Sequence, residues 1–144
     1  MGAMNAFLRA IDTPDIRALY DDLDLKWNAR AAALNGRLAA EGLPPRVANL
    51  SSIWTVIYEL PSRYNWMFQF YLRAEGLALS WIGTGRLIFS LNYSDADFQA
   101  VADRFVAAAR KMYADGWWWA PDGQTNKAIR RTILRETLRK RFRS

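Results

Sequence analysis

Residues 83–98 read Gly-Thr-Gly-Arg-Leu-Ile-Phe-Ser-Leu-Asn-Tyr-Ser-Asp-Ala-Asp-Phe, and this stretch decides the fold class. The triplet at 83–85 predicts a tight turn, and the mostly apolar run 86–91 predicts a buried strand. Ser94 followed by Asp97 has the spacing of a capping box, which predicts that a helix begins here. The stretch therefore predicts a turn, a strand and the start of a helix in immediate succession.

The sequence before this stretch predicts three helices and three strands. A short helix over residues 1–10 is expected to break near Asp12, and Thr13 is a good N-cap with Pro14 at the first helical position. Apolar residues from Ile16 to Leu38 recur at helical spacing, which predicts one long helix that ends at Gly42. Strands are predicted at 46–50, 53–59 and 77–81, with a helix at 64–75 between the last two.

The capped helix is expected to run from Ser94 to Gly116, and a further amphipathic helix follows it. The order α-β-β-α-β-β-α plus a C-terminal helix predicts an α+β fold in two layers, with a small, mainly antiparallel sheet of about four strands packed against long helices. We expect one domain over residues 1–120 and a basic helical tail over residues 121–144. One face or end of the sheet would remain available to a partner.

Composition excludes several classes of protein. The 144 residues suit one domain, and half of them are hydrophobic, so a core is expected. Cysteine is absent, which excludes disulfides and thiol catalysis and suits a reducing cytoplasm. Histidine is absent too, which removes the commonest general base and metal ligand. No apolar run approaches the roughly 20 residues of a membrane span.

The positive charge of the chain is concentrated in its tail. Residues 127–144 hold eight basic side chains and one acid, Glu136, whereas the other 126 residues hold twelve basic and thirteen acidic side chains. An apolar stripe runs along the same tail: Ile129, Ile133, Leu134, Leu138 and Phe142. This helix is expected to pack on its own domain or dock on a partner helix, and nucleic acid or an anionic membrane bound through residues 127–143 is the less favoured alternative.

No catalytic constellation is evident in the sequence. The acidic group Asp21, Asp22 and Asp24 is best explained as a solvated helix face, and Gly83-Thr84-Gly85 as a turn. The run Trp117-Trp118-Trp119 cannot point inward entirely, so at least one of its rings is expected to be exposed.

Three short segments, residues 49–55, 76–80 and 93–97, taken in this order, resemble parts of the small C-terminal domain of class III, fold-type I pyridoxal-phosphate aminotransferases, above all the glutamate-1-semialdehyde 2,1-aminomutase group. Residues 49–55 (Asn-Leu-Ser-Ser-Ile-Trp-Thr) are similar to a Gly-Ser-Met-Phe-like segment of that family. Residues 76–80 are similar to its Gly-Val-Tyr-Leu-like strand, and residues 93–97 to its last helix start. The resemblance extends over about residues 1–115.

The resemblance implies that this chain is a portion of a larger enzyme, closing over an active site that a separate large domain holds. Pyridoxal phosphate would be bound in the intact enzyme, a homodimer, and not by this chain alone. Its four lysines lie on predicted helices (Lys26, Lys111, Lys127, Lys140), and none matches the Schiff-base lysine of the family. We therefore expect the chain alone to be inactive as an aminotransferase or aminomutase.

The resemblance also suggests which residues face the substrate: Ser51, Ser52, Trp54 and Arg86. Arg86 could pair a substrate carboxylate through its planar guanidinium, although a solvated arginine at a strand end is the somewhat favoured explanation. Two departures from the family, Gly85-Arg86 in place of a glutamate and Tyr93 in place of a histidine, put the aminomutase reaction in question. The alternative function is a free-standing α+β interaction module whose basic tail binds an acidic partner.

Overall fold

The structure is a computed structural model that describes residues 2–78 and 86–141, with side chains as far as Arg139 in the last helix. The fold is α+β, as the sequence predicts. A short 3-10 helix, Asn65–Met67, precedes the fourth α-helix. The regular elements run in the order α1 Gly2–Ile11, α2 Pro14–Ala18, α3 Leu23–Ala40, β1 Pro45–Leu50, β2 Ile53–Tyr58, α4 Phe68–Ala74, β3 Arg86–Ile88, α5 Asp95–Ala114 and α6 Asn126–Arg141.

The described strands form one antiparallel sheet in the order β1-β2-β3. Leu50 pairs with Ile53, so the hairpin between β1 and β2 has a two-residue loop, Ser51-Ser52. Ser51 takes a φ of 51°, in the left-handed region that such tight loops require. The loop also holds β3 in place, because the backbone N–H of Phe89 donates to the carbonyl of Ser52 at 3.0 Å.

Helices α3, α4 and α5 supply most of the layer that faces the sheet. Phe68 of α4 and Phe105 of α5 are fully buried and meet edge to face, with ring centroids 5.2 Å apart. At the other end of the core, the Trp27 ring of α3 stacks on Phe89 at 5.1 Å and meets Trp54 of β2 edge to face at 6.0 Å. Aromatic pairs of this kind add to the stabilisation that area burial alone supplies.

The prediction of one helix through residues 16–38 is wrong. The chain leaves the helix after Ala18, turns, and begins α3 at Leu23. Asp22 lies at the break with a φ of 56°, a left-handed conformation that aspartate tolerates better than most residues. Aspartate is also a weak helix former, so Asp21 and Asp22 together outweigh the apolar periodicity around them.

Other predicted elements are shorter than expected or lie outside the described residues. The helix at 64–75 begins as the 3-10 turn, and the strand at 86–91 ends at Ile88. Leu77 and Ala78 of the predicted strand 77–81 are not in a strand, and the rest of that strand, including Trp81, lies outside the described residues, as does the turn at 83–85. The described part of the chain contains three strands, whereas about four were expected.

Both predicted helix caps are confirmed. The Thr13 hydroxyl accepts a hydrogen bond from the Ile16 N–H at 3.4 Å, with Pro14 at the first helical position. Ser94 and Asp97 form a reciprocal capping box at the start of α5. The backbone nitrogen of Ser94 lies 2.9 Å from the Asp97 carboxylate, and the backbone nitrogen of Asp97 lies 3.1 Å from the Ser94 hydroxyl oxygen. The prediction for the tryptophan run is confirmed as well, because Trp119 is 55% exposed.

Candidate docking face of the sheet

The sheet has one buried face and one open face. Along β2 the side chains alternate, so that Trp54 and Val56 enter the core while Ile53 and Ile57 point away from it. In the register of the sheet, Leu50, Ile53 and Ile88 stand side by side on β1, β2 and β3. These three side chains are 77%, 46% and 68% exposed. They form an apolar row across the full width of the described sheet. We call this row, together with Ile57, the open face.

The open face has the composition of a candidate docking surface. Neighbouring side chains on one face of antiparallel strands lie about 5 Å apart, so the row is continuous. Isolated exposed apolar residues are ordinary, but a contiguous group on one flat surface is typical of an interface. It has no nucleophile or base of its own, and its chemistry is the burial of aliphatic surface.

The four residues proposed as substrate-facing occupy two different environments. Ser51 and Ser52 form the hairpin loop at the end of the open face, next to Leu50. Arg86 pairs in register with Thr55 and is exposed beside the same face. Trp54 points the other way: it is 1% exposed and its indole N–H donates to the Ser51 carbonyl at 3.2 Å. The structure therefore gathers the two serines and Arg86 around one face and places the Trp54 ring in the core.

A separate groove of about 420 Å³ lies beside the start of α5, where Tyr93, Asp97 and Arg104 line it together with Gly76. The Asp97 carboxylate has a structural role in the capping box, where the hydrogen bonds from Ser94 hold the pKa of Asp97 below its usual value. A carboxylate that is ionised and already accepts two hydrogen bonds is a poor general acid or base at neutral pH.

A metal ion and a Schiff base each require particular side-chain groups. The described residues contain no group of three or more acidic side chains that could hold a metal ion. Of the lysines whose side chains are described, Lys111 pairs with Glu75, and Lys26 and Lys127 are exposed on helices. A Schiff-base lysine lies in a desolvated pocket, whereas these three side chains are exposed.

Sequence reasoning missed two features that matter for this surface. The first is the apolar composition of the open face: the nearly continuous apolar run in β2 predicts a largely buried strand, although its alternation about Thr55 was available as a signal. The second is Arg30, a 7% exposed arginine that lies on the buried stripe of α3. Its spacing from Trp27 and Leu34, three and four residues, was the signal for that position.

The tail helix α6 contacts the body through Ile129 in its first turn and Glu136 in its third turn. Ile129 is 8% exposed, and Arg63 forms an ion pair with Glu136 at 3.0 Å. The remaining described members of its apolar stripe are exposed: Ile133 by 45%, Leu134 by 59% and Leu138 by 44%. Phe142 lies outside the described residues. In the described residues, α6 therefore packs on its own domain through Ile129 and Glu136, while the rest of its apolar stripe is exposed.

No known family model matches the chain, and no curated protein matches its sequence. None of the helices in the described residues is both long enough and apolar enough to cross a membrane.

Proposed function

We propose that this chain is the small C-terminal domain of a class III, fold-type I pyridoxal-phosphate aminotransferase or an aminomutase-like enzyme, and that its open face packs against the large domain of that enzyme. The observation that carries the proposal is the apolar row of Leu50, Ile53 and Ile88 opposite the helical layer. A two-layer α+β domain with such a face is expected to be completed by a third layer.

Two of the three sequence segments on which the resemblance rests support the same proposal. The Ser51-Ser52 segment forms a hairpin loop and the helix start at Ser94 forms a capping box. The third segment, residues 76–80, does not add support, because Leu77 and Ala78 are not in a strand and the rest lies outside the described residues. The loop lies at the edge of the open face. A large domain that covered this face would therefore meet the two serines and Arg86 together.

The chemistry of the proposed enzyme would come from the large domain. Pyridoxal phosphate would supply the electron sink for the transfer of an amino group, and the residues of this chain do not hold it. Their proposed work is to close the cleft, exclude water and orient the substrate. Arg86 would bind a substrate carboxylate in this arrangement, since its guanidinium presents two parallel donors. The proposal includes a homodimeric intact enzyme in the cytoplasm.

The test is to mix this chain with the large domain of a class III aminotransferase, expressed without its own small domain, and with pyridoxal phosphate. We expect a complex on size-exclusion chromatography and a yellow colour that borohydride fixes on a lysine of the large domain. Leu50→Asp should abolish the complex, because it places a charge at the β1 end of the apolar row, where the large domain would have to desolvate it. Leu25→Asp is the matched control, since Leu25 is 71% exposed on α3, away from the sheet.

Two results would overturn this proposal. One is that no large domain of the class forms a complex with the unmodified chain. The other is that Leu25→Asp weakens the complex as much as Leu50→Asp does, which would mean that the open face is not the contact.

The second candidate function is an interaction module, and the charge of α6 favours it. The five basic side chains described on α6 are all exposed: Lys127, Arg130, Arg131, Arg135 and Arg139. Such a face would recruit an acidic partner with strongly salt-dependent affinity. Binding of polyglutamate that Arg131→Ala and Arg135→Ala weaken, and that high salt abolishes, would support this function. Binding that persists in both variants at high salt would exclude it.

A further inference from the structure

Helix α1 has an apolar stripe that nothing in the described structure covers. Met4, Phe7, Leu8 and Ile11 follow the i, i+3, i+4, i+7 pattern of one helix face, and they are 64%, 60%, 49% and 40% exposed. None of the residues of α1 is buried. A ten-residue helix is marginal in water on its own, because its nucleation cost needs compensation from packing. The stripe is therefore expected to have a partner.

The segment that carries α1 is acidic. We call residues 2–22 the N-terminal arm; it holds two arginines and four aspartates, a net charge of −2. One of these aspartates, Asp12, pairs with Arg17 inside the arm at 2.9 Å. The other three are exposed: Asp15, Asp21 and Asp22. The partner of the arm is thus expected to offer apolar surface flanked by positive charge.

Helix α6 is the element of the described chain that meets this description. Residues 126–141 hold seven basic side chains and one acid, a net charge of +6. Among the described residues, no arginine or lysine of α6 forms a salt bridge, and its acid Glu136 is taken by Arg63. Its exposed apolar residues Ile133, Leu134 and Leu138 lie on the same helix as these cations.

Beside α6 there is also a groove that an inserted side chain would fill. It measures about 340 Å³ and lies between Trp66 on one side and Ile133 and Thr137 on the other. Trp66 is 58% exposed and meets the half-exposed ring of Phe70 edge to face at 5.7 Å. A groove of this size admits a large aromatic side chain such as Phe7.

We propose that two copies of this chain form a dimer by exchanging arms, with the N-terminal arm of each copy docked along α6 and into the Trp66 groove of the other. The contact is isologous: each copy gives one arm and receives one, so the assembly closes at two chains. Both arms are buried in the dimer, which doubles the area of a single docked helix toward the roughly 1,200 Å² that stable interfaces need.

Charge complementarity selects a second copy over the other occupants of these surfaces. An anionic membrane would attract α6 but would repel the arm, whose net charge is −2. Membrane binding would therefore not explain why acidic residues flank the apolar stripe of α1. An arm and a tail of opposite sign on the same chain are complementary in every pair of copies, and this inference does not depend on the proposed function.

The test is analytical ultracentrifugation of the full chain at low salt. We expect a dimer whose dissociation constant rises with salt and rises at least about tenfold in Phe7→Ser and in Leu134→Ser, since each variant loses one buried apolar side chain. Tyr113→Ser is the matched control: Tyr113 is 60% exposed on α5, as Phe7 is on α1, and its loss should leave the dimer intact.

A mixing experiment distinguishes exchange from other modes of association. A chain that lacks residues 2–11 keeps its tail, and the triple variant Ile133→Asp, Leu134→Asp, Leu138→Asp keeps its arm but loses the apolar stripe of its tail. Neither chain alone can form an arm–tail contact, so each should be monomeric, while their mixture should form a heterodimer through the one intact contact, weaker than the dimer of the unmodified chain. A monomeric unmodified chain would overturn the proposal. So would a dimer lost in Leu50→Ser but not in Phe7→Ser, which would be association through the open face, or binding to anionic vesicles by a chain that stays monomeric.

Discussion

The guanidinium of Arg30 lies 4.6 Å from the ring centroid of Trp27, inside the junction between α3 and the start of α5. The same group lies 5.3 Å from the Phe98 ring, and one of its nitrogens donates to the Tyr93 carbonyl at 3.0 Å and to Asp95 at 2.7 Å. A charged group is rarely this buried unless its partners are fixed around it. Arg30 therefore joins the helical layer to the loop that follows β3.

Replacing Arg30 by alanine should destabilise the domain by about 2–4 kcal/mol. The change removes the two aromatic contacts, opens a cavity and leaves the Tyr93 carbonyl without its donor. Urea denaturation followed by tryptophan fluorescence measures the effect. Arg110→Ala is the control: Arg110 pairs with Glu41 on the surface, so its loss should leave stability nearly unchanged. Equal effects would show that Arg30 is not a buried anchor.

The anchor at Arg30 illustrates what the sequence could and could not predict. Local signals such as Ser94 with Asp97, or Thr13 with Pro14, identified helix starts correctly, because a cap is set by residues three positions apart. The hydrogen-bond partners of Arg30 lie more than sixty residues away along the chain, and no local pattern pairs them with it. Contacts of that kind depend on tertiary packing, which periodicity does not encode.

The acid side of the stability curve should depend on Asp95 and Asp97. The hydrogen bond from Arg30 holds the pKa of Asp95 below its usual value, and those from Ser94 do the same for Asp97. A carboxyl whose folded pKa is depressed stabilises the fold above its unfolded pKa, about 3.9. That stabilisation is lost as the pH falls through the folded pKa values.

Asp97→Asn should therefore remove part of the loss of stability below about pH 4, while also lowering stability at neutral pH. The measurement is the midpoint of urea unfolding at several pH values, compared with the unmodified chain. Asp122→Asn, in the exposed loop before α6, is the control and should leave the profile unchanged. A profile for Asp97→Asn parallel to that of the unmodified chain would contradict the assignment.

The alkaline side should depend on two tyrosines. Burial raises the pKa of Tyr58 to about 12. Desolvation, and then the hydrogen bond to Asp115 at 2.6 Å, raises the pKa of Tyr71 to about 12. Since the unfolded pKa of tyrosine is about 10, the stabilisation is complete below that pH and is lost as the pH rises toward 12.

Asp115→Asn should lower the pKa of Tyr71 and leave that of Tyr58 in place, because it removes the negative charge beside one phenol only. Absorbance titration of the phenolates, with Tyr71→Phe to assign the transitions, checks this. If both transitions move together in Asp115→Asn, the change has altered the fold and the assignment to Tyr71 is wrong.

The site itself was only partly predictable. The order of the elements predicts that one face of the sheet is free for a partner. The residues on that face cannot be predicted in the same way, because they depend on the strand register. Leu50, Ile53 and Ile88 come together only when β3 pairs with β2. The break at Asp22 was missed for the opposite reason: a left-handed backbone conformation at one residue overrode a long apolar periodicity.

The exposed edge of the sheet at β1 should depend on Asn35 for protection. The Asn35 amide donates to the Val47 carbonyl at 2.9 Å and accepts from the Val47 N–H at 2.8 Å, so it occupies backbone groups that an edge strand would otherwise present to another chain. Asn35→Leu leaves both groups unpaired and should cost about 1–3 kcal/mol. It should also speed aggregation, measured by light scattering, because the freed edge can pair with a second strand.

Asn28→Leu is the control for this variant, since Asn28 accepts one exposed hydrogen bond from Asn49 and covers no backbone group. Aggregation that is equally fast in both variants would show that added apolar surface, and not the uncovered edge, is its cause.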